Sequence, residues 1–120
     1  MADRIQFISH DGKQILLIDF SFCSAGEVEK ICRGVPALVT ALPRSSVLIL
    51  SDFTGASFDK GAIRAMKEAA VFDKPHVKKS AWVGAGLFPP EFSRSLSYFS
   101  RREFPAFETR KEALAWLVKD

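Results

Sequence analysis

Residues 46–59 read SVLILSDFTGASFD. Val47 to Leu50 is an unbroken apolar run, and strands buried on both faces of a parallel sheet read this way, without polar alternation. Asp52, Thr54, Gly55 and Ser57 then supply turn chemistry: glycine for a left-handed position, and short polar side chains that bond their own backbone. Beyond them Ala62, Ile63, Met66, Ala69 and Ala70 recur at helical spacing. The stretch predicts a strand over 46–53 that turns directly into a helix over 58–72, which is the repeating unit of parallel α/β sheets.

The same grammar extends in both directions. Upstream, Arg4 to Ser9 and Lys13 to Phe20 are β-rich runs joined by His10-Asp11-Gly12, and an Asp-Gly step between such runs is a strong hairpin signal. Ser24-Ala-Gly-Glu27 is a capping box, with Cys23 placed to staple onto Val28. The stripe Val28, Ile31, Cys32, Val35, Leu38, Val39, Leu42 predicts one helix kinked near Pro36. Downstream, Val77 to Ala85 reads as a strand, and Pro89 and Pro90 suit the entry of a third helix carrying Phe92, Leu96 and Phe99. Ala106 and Phe107 form a short last strand, and Thr109-Arg-Lys-Glu112 caps a fourth helix with Ala113, Leu114, Trp116 and Leu117. The order β-β-α-β-α-β-α-β-α predicts an α/β fold. Its mixed sheet has about five strands, an N-terminal antiparallel hairpin followed by parallel strands, and four helices.

Composition sets the outer bounds. The chain of 120 residues is read as a single domain spanning 1–120, with a core that needs no covalent staple. Val47–Leu50, among the longest apolar runs, falls far short of the ~20 residues of a membrane span. No basic-then-apolar leader opens the chain, so a cytoplasmic location is expected. Cys23 and Cys32 stand nine apart without a Cys or His at metal spacing, which predicts inert buried thiols and no metal. Charge is uneven: residues 1–59 carry a balance of −2 and residues 60–120 one of +5. The basic residues Lys74, Lys78, Lys79, Arg94, Arg101, Arg102, Arg110 and Lys111 are dispersed without interleaved aromatics, which predicts a solvated positive face and no nucleic-acid platform.

Three stretches, GKQILLIDFS at 12–21, SVLILSDFTGASFD at 46–59 and FETRKEALAWL at 107–117, together with the element order, resemble the STAS fold of anti-sigma-factor antagonists. The resemblance is closer still to the bacterial STAS-like proteins grouped loosely with CRAL-TRIO lipid-binding domains. It implies a binding or regulatory domain whose partner is switched by phosphorylation of a serine at the start of the second helix, in an Asp-Ser-Ser/Thr-Gly motif. This sequence has Asp52-Phe-Thr-Gly-Ala-Ser57 there and departs from that motif, leaving Ser57 and Thr54 as the nearest hydroxyls.

Candidate sites gather where the strands end. Ser57 has the position of an N-cap ahead of a helix opening at Phe58. Asp19 and Asp52 close two parallel strands and could converge as an acid or metal-binding pair, the basis of an alternative reading as a small enzyme or metal-dependent phospho-acceptor. No phosphate loop or nearby Lys accompanies them, and neither His10 nor His76 has a catalytic neighbour in sequence. The expectation is therefore a domain without catalysis, metal or cofactor. Phe20, Phe22, Phe53, Phe58 and Phe88 all fall in or beside loops expected on one sheet edge. Such rings either close the core or, with Asp52, Thr54 and Ser57, form a binding edge. The expected occupant is a protein partner or a small apolar molecule, with self-association as a homodimer also open.

Overall fold

The computed structural model describes residues 4–84 and 104–119. Two strands open it, β1 (Ile5–His10) and β2 (Lys13–Asp19), paired antiparallel. Asp11 and Gly12 between them both take positive φ, 49° and 77°, the type I′ geometry that matches the twist of a hairpin. There follow α1 (Ala25–Val39), β3 (Val47–Asp52), α2 (Lys60–Asp73), a 3-10 turn at Lys74–His76, β4 (Val77–Val83), β5 (Ala106–Phe107) and α3 (Arg110–Val118). The strands lie in the order β1-β2-β3-β4-β5, and every pair after the hairpin is parallel. The described residues hold three α-helices. The expected helix at Phe92, Leu96 and Phe99, and the expected edge residue Phe88, lie outside them.

Local chemistry explains the helix ends. Ser24 caps α1 through the expected box, its hydroxyl accepting from the Glu27 N–H (3.2 Å) while the Glu27 carboxylate accepts from the Ser24 N–H (3.0 Å). The helix runs through Pro36 and stops one turn later at Thr40, short of Leu42. The start of α2 differs from the expectation. Its cap is Asp59, whose carboxylate accepts from the Ala62 N–H at 2.8 Å. Ser57 stays in the loop because its own N–H is drawn to the Cys23 carbonyl, 2.9 Å away.

The sheet separates two cores. On one face Leu16, Ile18, Ile49, Phe53 and Trp82 pack with Val28, Cys32 and Val35 of α1 and with Ala62, Ala65 and Met66 of α2. On the other, Ile15, Leu17, Leu48, Leu50, Ala81 and Val83 pack with Ala113 and Leu117 of α3. β3 is buried along its whole length, as its unbroken apolar run requires. In β4, Lys78 opposes no residue of β3, since Val47 pairs with Val77 and Leu48 with Lys79. This extra residue lets Val77 and Trp82 reach the same face.

Candidate functional site

The C-terminal ends of β2, β3 and β4 share one edge, and the loops beyond them are stitched together by backbone bonds. The Phe20 N–H donates to the Asp52 carbonyl, the Phe22 N–H to the Thr54 carbonyl and the Phe53 N–H to the Val83 carbonyl, each at 2.8 Å. With the Ser57–Cys23 bond, these continue the parallel ladder past the strands. Glycine permits the close approach. A Cβ on Gly84 (φ 73°) would stand 2.6–2.8 Å from Thr54, and one on Gly55 (φ 67°) 2.5 Å from the Phe22 ring.

The candidate phenylalanines divide into two groups. Phe20 and Phe53 are buried and stack at 4.7 Å between ring centroids. Phe53 meets Trp82 edge-on at 5.4 Å, and Trp82 stacks on Phe104 at 4.7 Å. This aromatic row crosses three strands and finishes the core, with Phe58 half-buried against it. Beneath the row lies a cavity of about 60 Å³ whose lining includes Cys32, Met66, Phe20 and Trp82. Phe22 is different. It is 77% exposed, and its backbone sits at φ 57°, a conformation uncommon for any residue but glycine, asparagine or aspartate. The ring lies over Gly55.

Asp19 and Asp52 do converge, as directly paired residues of β2 and β3. Their side chains are engaged. Asp52 is buried; one oxygen accepts from the Thr54 N–H (3.0 Å) and hydroxyl (2.7 Å), and the other from Arg110 Nε at 2.7 Å. Arg110 also reaches Asp19 at 3.5 Å, and Arg4 approaches Asp19 at 3.6 Å while donating to the Ser21 carbonyl at 2.8 Å. The gap between the carboxylates therefore faces a guanidinium. Burial pushes the Asp19 carboxyl up, but hydrogen bonds from Ser21 and the charges of Arg110 and Arg4 outweigh it and leave it below its ordinary value. Among the described residues no group of three or more His, Cys, Asp or Glu is placed to hold a metal ion.

Arg110 belonged by sequence to the dispersed, solvated basic set. Only its place at the first turn of α3, a helix packed on the face toward which Asp52 points, brings it here, and no local pattern signals that pairing. Arg4 is a similar case. Both thiols are buried, and burial pushes Cys32 up to about 12, with the Asp73 carboxylate adding to the shift. Lys79, a second member of the dispersed set, donates to the carbonyls of Trp116 (3.2 Å) and Lys119 at the end of α3 and lies over the Trp116 ring.

No protein-family model and no curated protein matches the chain. A search of solved structures finds an uncharacterized protein of the DUF3478 family with a SpoIIAA-like fold, from Shewanella loihica PV-4. The TM-score is 0.71 at 18% identity, over 94% of this chain and 91% of that one. At that identity the likeness establishes the fold: the chain has a STAS-like, SpoIIAA-like architecture. No helix among the described residues is long and apolar enough to cross a membrane.

Proposed function

We propose that this chain is a non-catalytic, STAS-like binding domain that engages a protein partner at the edge formed by the C-terminal ends of β2, β3 and β4, with Phe22 as its anchor. One observation carries the reading. A large apolar ring is held in water, on a strained backbone, by loops bonded to one another through their backbones. Such strain persists only where the surroundings impose it, and it concentrates at functional sites. A protein partner is favoured over a small apolar ligand because the cavity under the aromatic row holds about 60 Å³, whereas pockets for organic ligands span ~300–1,000 Å³. The Arg110 bridge favours a structural role for Asp19 and Asp52 over an acid or metal pair. Both residues stand exposed, but the Thr54 hydroxyl is spent on Asp52, so Ser57 is the one open to phosphorylation as a switch of the edge.

A photo-crosslinking phenylalanine analogue at position 22 tests the proposal, with the same analogue at position 72, another strongly exposed phenylalanine (60%), as control. The expected result is a discrete, saturable protein adduct from position 22 alone. No adduct, or the same adducts from both positions, would count against the edge.

A further inference from the structure

We propose that β1 is a self-association edge, at which two copies of the chain pair their Ile5–His10 strands antiparallel about a two-fold axis at Phe7. The strand reads IQFISH and contains no Lys, Arg, Asp or Glu, in a chain of which 26% is charged. Natural edge strands are guarded by charges, proline, bulges or extreme shortness. The opposite edge, β5, is two residues long. β1 has none of these guards and pairs with β2 in unbroken register along its six residues.

The hairpin fixes which backbone groups face outward. In its type I′ turn His10 and Lys13 are the hydrogen-bonded pair. Bonded and non-bonded pairs alternate along an antiparallel ladder. Gln6, Ile8 and His10 therefore turn their N–H and C=O groups to β2, and Ile5, Phe7 and Ser9 turn theirs away from the sheet. A second copy satisfies this edge because the strand is complementary to itself. With Phe7 on the axis, Ile5 falls opposite the partner's Ser9, and the two Phe7 rings meet on the face that carries α1 and α2. Phe7 is 42% exposed, so its ring has apolar surface to bury.

Sedimentation of the full chain over a concentration series, with residue-resolved amide exchange, tests the pairing. The expected result is a dimer in which the amides of Ile5, Phe7 and Ser9 exchange slowly. In Phe7→Lys, like charges face each other across the axis, and self-association weakens by about tenfold or more. Those three amides then exchange fast while Gln6, Ile8 and His10 stay protected, because β1 remains in its own sheet. If Phe7→Lys does not fold, Ser9→Lys, exposed and on the same outward set, places a cation against the partner's Ile5 at both ends of the pairing and weakens self-association in the same direction. A wild-type monomer at about 100 µM, a dimer in which the three amides exchange fast, or a dimer indifferent to the charge would overturn the proposal; so would edge amides protected only by a different protein.

Discussion

Phe22 and Phe53 are the same side chain in opposite physical situations, and truncating each should say so. Phe53 stacks on Phe20 and meets Trp82 edge-on, so Phe53→Ala should cost about 3–5 kcal/mol in chemical denaturation, the usual loss for a buried aromatic. Phe22→Ala should cost under about 1.5 kcal/mol, since little packing is removed. Phe22→Gly should match or exceed the wild type, because a left-handed backbone strains phenylalanine by about 1–3 kcal/mol and glycine hardly at all. The caps offer a second contrast. Asp59→Ala should lose about 1 kcal/mol, and Ser57→Ala, which removes no cap, under about 0.5 kcal/mol. Equal losses at 57 and 59 would restore Ser57 as the cap. Sequence placed a cap in this loop and missed it by two residues, because the bond from Ser57 to the Cys23 carbonyl is made between loops and leaves no mark in the local pattern.

At the level of elements, α3 is held to the sheet at both ends by charge. Arg110 joins its first turn to Asp52, and Lys79 of β4 closes the carbonyls of its last turn. Arg110→Met should lower stability by about 1.5–3 kcal/mol, the range for a hydrogen bond to a charged group, and Lys79→Met should loosen amide protection in the last turn of α3. Asp19 makes the same network pH-dependent. Its folded pKa lies below the ordinary 3.8, so its contribution is present above that pH and is lost as pH falls through the lower folded value. Thermal melts of Asp19→Asn between pH 5 and 2 should fall less steeply than those of the wild type; parallel curves would remove Asp19 from the network. The box Thr109-Arg-Lys-Glu112 announced where α3 begins, since caps are local. The destination of Arg110 was not legible, because Asp52 lies 58 residues away in the chain and only the packed sheet brings them together.

Across the whole molecule, alternation of apolar strands and capped helices was enough to read the mixed sheet, its antiparallel opening and the edge where its strands end. It was not enough to decide which edge phenylalanines point inward, because β2 and β3 run into their loops without a change in composition, and the outcome depends on which rings can stack across strands. Burial also settles the thiols. With Cys32 pushed up to about 12 and Cys23 also raised, neither should react with a thiol reagent at neutral pH unless the chain unfolds, and native labelling of either would contradict the packing. On the proposed function, Phe22 is an exposed aromatic, fixed by cross-bonded loops, that binds while contributing little to the fold. The most direct measurement is therefore the affinity of Phe22→Ala for the protein crosslinked at position 22, taken alongside its unfolding free energy. The expected result is a loss of binding of about 2 kcal/mol or more, as at an anchoring residue, with stability within about 1.5 kcal/mol of the wild type. Unchanged affinity, or a loss of stability as large as that of Phe53→Ala, would contradict it.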